Sequence, residues 1–257
     1  MLVTIIGSGN VAAVLGKALV QKGYVISEIY SRDPAHAVQL AQQLHAKAIT
    51  ALEKLDKNAD IYLIAVSDDA LTEVAAALSL KDKLVIHTAG SVSKEILKNV
   101  STNYGVLWPM KMIRKSMDTL GPVTIVVDGN TKTVTDQIAE FATVFSNTVA
   151  VADDIMRSKM HILAAFTSNF ANHLYHLAAD YCEAENIDLS LFYSIIEETA
   201  QQIRSHHPKD VQAGPAFRGD LQTLEKHVQI LAKYPQLRKL YEAMTESIEV
   251  SFNKNIR

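Results

Sequence analysis

The chain has 257 residues, 48% of them hydrophobic, a formal net charge of −3 and one cysteine, Cys182. That length holds one large domain or two smaller ones, with ample apolar content for a packed core. The mild charge and the absence of a basic tract argue against nucleic acid and anionic membranes as partners. The lone cysteine excludes an intramolecular disulfide and a cysteine-based metal site, and no apolar run is long enough to span a bilayer.

The chain opens on an apolar run, Leu2–Ile6, without the charged and apolar regions of a signal peptide, so a cytoplasmic protein is expected. The run passes straight into Gly7-Ser8-Gly9-Asn10-Val11-Ala12, the Gly-x-Gly-x-x-Ala turn between the first strand and first helix of a dinucleotide-binding fold. Gly7 permits the tight turn, Gly9 lets the backbone approach a pyrophosphate, and Ala12 keeps helix and strand close. The helix over residues 11–21, stopped by Gly23, aims its free N–H groups and positive dipole end at phosphates. Gly7, Ser8, Gly9, Asn10 and Val11 are therefore expected on a cofactor. The plain alternative is a tight turn that binds nothing.

The second strand, residues 24–30, leads into Ser31-Arg32-Asp33-Pro34. An NAD enzyme usually ends this strand with an acid that bonds the ribose 2′-hydroxyl. Here Tyr30 or Ser31 stands there, and a hydroxyl followed by a guanidinium suits a 2′-phosphate. Ser31 and Arg32 thus favour NADP over NAD. Arg32 as a solvated partner of Asp33 is the alternative.

A helix over 34–44 and a short strand near 48–50 follow. Strands are then expected over 60–66, 83–87, 104–108, 123–128 and 148–151. The alternation reads as βαβ units building a Rossmann-type, doubly wound, mainly parallel sheet. From Asp153 the pattern becomes helical, over 154–184, 189–204, 220–232 and 236–254, with Asp153 or Asp154 as N-cap. The expected organisation is an α/β cofactor domain, 1–152, and an all-helical substrate and dimerisation domain, 153–257.

Ligands of such sheets sit beyond the carboxyl ends of the strands. Ala65, Val66 and Ser67 follow one strand end, where Ala65 and Val66 leave room for a dinucleotide and Asp68 and Asp69 cap the next helix. His87 and Thr88 follow another, where a nicotinamide usually lies, with Ser91 or Ser93 as a helix cap. In the long helix Arg157, His161, Ser168, Asn172 and His176 recur at helical spacing and can share a face. The many apolar residues around them predict a widely buried helix serving as a domain core. Arg157 and His161, one turn apart, could hold a carboxylate and move a proton; a structural hydrogen-bond network is the alternative. Arg218, in the loop 213–220, could close over an anionic ligand, with Asp220 capping the next helix. His206-His207 lacks companion ligands, so no metal is expected.

These motifs, taken in order, include Val106-Leu107-Trp108-Pro109-Met110, Asp154-x-x-Arg157-x-x-x-His161 and Gly214-Pro215-Ala216-x-Arg218-Gly219-Asp220-x-x-Thr223-x-x-x-His227. The set resembles the Rossmann-like bacterial NADP oxidoreductases with a helical C-terminal domain of unknown function. It is similar to the deazaflavin-dependent oxidoreductases and lies within the wider class of 6-phosphogluconate dehydrogenase and pyrroline-5-carboxylate reductase. The resemblance implies an NADP-binding domain, a helical second domain and a homodimer through the helices, and it supplies no substrate. Lys159 is followed four residues on by Leu163, so the Lys-x-x-x-Asn pair of the hydroxyacid dehydrogenases is missing, as is the Gly/Ser-rich helix start of the pyrroline reductases.

The expectation is an NADP-dependent oxidoreductase that moves hydride between NADP(H) and a small carbonyl or imine. His161 is the first candidate for proton donor and His87 the second. Arg157, Asn172 and Arg218 are the candidates for an anionic substrate. The alternative is a non-catalytic NADP-binding sensor or scaffold.

Overall fold

The structure, a computed structural model, describes residues 1–252. In chain order its strands are β1 (Leu2–Ile6), β2 (Val25–Tyr30), β3 (Lys47–Ile49), β4 (Ile61–Ile64), β5 (Lys81–His87), β6 (Ser101–Pro109), β7 (Thr124–Gly129) and β8 (Thr148–Val151). They form one sheet in the order β3-β2-β1-β4-β5-β6-β7-β8. Each neighbouring pair is parallel except β6 and β7, which run antiparallel. Helices α1 (Asn10–Gln21), α2 (Pro34–Gln43), α3 (Asp68–Ala76) and α4 (Lys132–Ala142) connect them.

Both faces of this sheet are covered, which is why its central strands read as continuous apolar runs. Successive side chains still alternate between faces. Val3, Ile5, Ile61 and Leu63 pack with Leu15 and Leu19 of α1, Leu40 of α2 and Ile138 of α4. Ile6, Tyr62 and Ile64 point the other way, onto Leu71 and Val74 of α3. Caps set the helix starts. Asp33 accepts from the N–H groups of Ala35 and His36, and Thr131 from that of Val134. At α3 the N-cap is Ser67, without a side-chain bond, and Asp68 and Asp69 occupy the first helical turn, where their charge favours the helix dipole. The expectation that they cap the helix is corrected accordingly.

The long helical run begins at α5 (Asp154–Ala164), capped by the Asp153 carboxylate on the N–H of Met156 at 2.8 Å. A π turn over Ala165–Phe170 follows, then α6 (Ala171–Ala184). The π turn interrupts the 3.6-residue period, so even helical spacing along 157–176 no longer implies one shared face. The expected wide burial of this run is also corrected. Ile155, Met156, Ile162, Leu163, Phe166 and Phe170 are exposed, and the residue that α5 buries is Arg157. Met160 and Ala164 pack against Val106, Trp108, Val126 and Ala152.

The chain forms two compact units, Met1–Ala171 and the segment from Asn172 onward, so α5 and the π turn lie with the sheet. The second unit holds most of α6, then α7 (Tyr193–Gln202), α8 (Pro215–Arg218), α9 (Leu221–Ile230) and α10 (Pro235–Phe252). Residues 253–254 of the last expected helix lie outside the described residues. Asp220 caps α9 by accepting from the N–H and hydroxyl of Thr223, at 3.2 and 2.8 Å. Among the described residues no helix is long and apolar enough to cross a membrane.

Candidate functional site

β1 lies between β2 and β4, and the chain leaves it in opposite directions to reach them. That is the switch point at which open α/β sheets bind ligands. Gly7 turns there at φ 126°, and its N–H bonds the Tyr30 carbonyl oxygen at 2.8 Å. A side chain at Gly7 would strike the Ala65 backbone as well as distort the turn, so only glycine fits. A Cβ at Gly9 would instead meet nothing within 4 Å, because that position borders open space. Gly9 is the N-cap of α1 and brings no side chain to the first-turn N–H groups, leaving them to an anion.

A cleft of about 550 Å³ opens at these strand ends. Gly7, Ser8, Gly9, Asn10, Val11, Ser31, Arg32, Ala65, Val66 and Ser67 all line it, so the structure brings together the residues expected there. His36 and Glu73, which the sequence reading did not single out, line it too. A larger depression of about 790 Å³ lies at the opposite end of α1, and among the described residues Lys22 is the one charged group in its wall.

The Asp33 carboxylate is engaged by the N–H groups of Ala35 and His36 at 2.8 and 3.2 Å, and the His36 N–H does most to hold its pKa below the usual carboxylate range. Ser31 Oγ accepts from the Ser8 hydroxyl at 2.9 Å and from the Asp33 N–H at 3.3 Å, which leaves its own proton to donate outward. Arg32 is exposed and pairs with Glu73 at 3.5 Å rather than with Asp33. Turn, helix start, hydroxyl and guanidinium together fit an adenine dinucleotide carrying a 2′-phosphate.

His87 ends β5 and Thr88 follows it; both are buried, outside the lining of that cleft. The Ala89 N–H donates to His87 Nδ1 at 3.2 Å, placing the imidazole proton on the buried Nε2. Burial first, then the nearby Arg157 charge, push the His87 pKa down to about 4. The ring is therefore neutral at neutral pH.

Arg157 is 1% exposed. Its Nε donates to the Gly90 carbonyl at 3.2 Å, and its Nη2 donates to the Val92 carbonyl and to Asp154 Oδ1, each at 2.6 Å. Nη1 lies 3.8 Å from Asp128, which Lys94 also engages at 2.6 Å. Asp154 accepts in addition from the Ser93 hydroxyl and the Lys94 N–H. Burial acts to raise the Asp154 carboxyl, but Ser93, Arg157 and Lys94 together hold it below the usual range. The expectation that Arg157 grips an anionic substrate thus meets a buried side chain that ties down the loop after β5. The Asp154-x-x-Arg157 spacing was the available sequence signal for this pair.

Gly90, in that loop, packs against Trp108 and His161; a Cβ there would come within 2.7 Å of Trp108 Nε1 and 2.9 Å of His161 Cδ2. The His161 and Trp108 ring centroids are 5.5 Å apart, and His161 itself is exposed. In the second unit Asn172 is exposed, and Arg218 is exposed at the end of α8, close enough to Asp220 to lower its pKa after the larger effect of Thr223. His227 Nδ1 lies 2.8 Å from the Tyr241 hydroxyl. Among the described residues no three His, Cys, Asp or Glu side chains gather as a metal would require.

Residues 2–91 match the family model described as NADP oxidoreductase coenzyme F420-dependent, and residues 123–248 match a domain of unknown function, DUF2520. No curated protein matches the sequence. Among solved structures, the "putative NADP oxidoreductase" of Bacteroides fragilis is 32% identical, with a TM-score of 0.89 over 96% of this chain and 97% of its own. An imine reductase from Myxococcus stipitatus in complex with NADP+ is 16% identical, with a TM-score of 0.72 over 99% and 95% of the two chains. A pyrroline-5-carboxylate reductase from Streptococcus pyogenes is 15% identical, with a TM-score of 0.69 over 97% and 98%. The last two show a shared fold. The first, with the two family models matching successive parts of the chain, shows the family: the chain belongs to the NADP oxidoreductases in which a Rossmann domain precedes the DUF2520 helical domain.

Proposed function

We propose that the protein binds NADP(H) in the cleft at the ends of β1, β2 and β4 and transfers hydride between it and a small carbonyl or imine compound. One observation carries this reading: the Gly7 turn, the uncapped start of α1 and the Ser31-Arg32 pair line a single cleft. When bound, the nicotinamide supplies or accepts the hydride. The first-turn N–H groups of α1 hold the pyrophosphate, and the Ser31 hydroxyl and Arg32 guanidinium take the 2′-phosphate.

His161 is assigned as the proton donor to the reduced atom, since it is exposed and braced by Trp108 and Gly90. His87 and Arg157 are assigned as positioning residues, His87 beneath the 88–94 loop and Arg157 through its bonds to the loop's carbonyl oxygens. Asn172 and Arg218 are assigned to an anionic group of the substrate, Arg218 because an exposed guanidinium can fork onto a carboxylate. The exposed Ile155, Ile162, Leu163, Phe166 and Phe170 support a homodimer that covers them, a state that light scattering reads directly.

The test is a parallel titration with NADPH and NADH followed by nicotinamide fluorescence, then a turnover screen over carbonyl and imine substrates. Preferential binding of NADPH with turnover supports the reading. NADPH binding with no turnover on either class leaves a cofactor sensor or scaffold, and no binding of either nucleotide overturns the reading altogether.

A further inference from the structure

Arg32 and Glu73 meet across the mouth of the cofactor cleft. Arg32 follows β2 and Glu73 lies on α3, which follows β4, so the pair joins elements that flank β1 on opposite sides. Arg32 Nη1 is 3.5 Å from Glu73 Oε2, with side chains 67% and 74% exposed. Both line the same cleft.

The other charged groups at this place are otherwise engaged. Asp33 caps α2 and faces the His36 ring at 3.5 Å. The Lys111 ammonium donates to the carbonyl oxygens of Leu120 and Pro122. Glu73 is therefore the carboxylate that faces the guanidinium to which the 2′-phosphate is assigned.

We infer that Glu73 moderates this protein's preference for NADPH over NADH, by occupying Arg32 until a 2′-phosphate replaces it and by repelling that phosphate once it is bound. The inference rests on the NADP reading of the cleft. An exposed ion pair in water is weak and cannot shut out a group of nearly two negative charges. It can still lower the affinity for NADPH while leaving NADH, which has no 2′-phosphate, nearly unaffected. Glu73 thus narrows the gap between the two cofactors, and its removal widens it.

The test uses the full chain with Glu73→Gln and Glu73→Ala, titrated with NADPH and with NADH by fluorescence at about 50 mM and about 0.5 M salt, since salt screens exposed charges. Both variants are expected to bind NADPH roughly three- to tenfold more tightly than the original, with NADH changed less than about twofold and the gain shrinking at high salt. Because the side chain is exposed, neither change threatens the fold. Unchanged or weakened NADPH binding overturns the inference. A selective loss of NADH also overturns it and makes Glu73 the acceptor for a ribose hydroxyl. An original chain that binds neither nucleotide removes the NADP reading and this inference with it. An original chain that binds NADPH, with variants that match it, removes the inference alone.

Discussion

Arg157 Nε donates to the carbonyl oxygen of Gly90 at 3.2 Å, a bond between residues 67 positions apart. It joins α5 to the loop after β5. The same guanidinium holds Val92 and Asp154, and the same loop supports the His161 ring through Gly90. One buried cation therefore fixes the surface on which the candidate proton donor rests.

Arg157→Ala is expected to cost about 2–4 kcal/mol of stability, because it leaves the carbonyl oxygens of Gly90 and Val92 without their donor and takes one of three donors from the half-buried Asp154 carboxylate. Urea denaturation checks this. Arg157→Lys keeps the charge but cannot span Gly90, Val92 and Asp154 together, so it should rescue only part of the loss. In the lysine variant turnover should fall more than NADPH affinity does, since the cofactor cleft is built from other elements.

His87 makes stability depend on pH in a definite direction. Its folded pKa is about 4, below the ordinary value of 6.5, so between these values the unfolded chain binds the proton and the folded one does not. Stability is full above about pH 6.5 and falls as pH drops towards 4, with a loss of about 3 kcal/mol if the whole shift is expressed. His87→Asn, whose side-chain oxygen can still accept from the Ala89 N–H, should flatten this acid limb in urea midpoints measured from pH 7 to 4. An unchanged slope would assign the acid sensitivity to other groups.

Arg32→Ala should weaken NADPH about ten- to a hundredfold, the worth of charge-assisted bonds to a phosphate, and alter NADH only slightly. Parallel titrations read the ratio. Equal losses for both nucleotides would remove Arg32 from 2′-phosphate recognition.

His161→Asn should lower turnover about a hundredfold or more while NADPH binding stays within about twofold, as expected for loss of a general acid. Steady-state rates and a direct cofactor titration separate the two effects. Unchanged turnover would take His161 out of the mechanism and leave it as packing for Trp108.

Much of the cofactor half was legible in the chain because its chemistry is local. The apolar run Leu2–Ile6, the Gly7 turn and α1 are contiguous, and each residue type answers a backbone need of the same short segment. The placement of Ser31 and Arg32 at a strand end was legible for the same reason, since they stand one and two residues beyond β2. The strand periods located the sheet, and Asp153 marked the start of α5. What surrounds α5 was not legible. Its apolar residues read as a core, yet Ile155, Ile162 and Leu163 are exposed and Arg157 is the buried one. Periodicity assigns residues to a face of a helix but does not say what covers that face.

Only the tertiary structure could decide the fate of Arg157, His87 and Glu73. Arg157 carried the same guanidinium in either role, but its donors found the carbonyl oxygens of Gly90 and Val92 and became part of the scaffold. The His87 imidazole is held neutral by its burial and by the charge of Arg157 beside it. Glu73 acquired a meaning when β4 and α3 brought it within 3.5 Å of Arg32, which precedes it by 41 positions. Strand and turn are properties of neighbouring residues, and the sequence by itself determined them. Burial and pairing are properties of residues that meet only after the chain has folded, because desolvation and Coulomb attraction act over a few ångströms of space and take no account of separation along the chain.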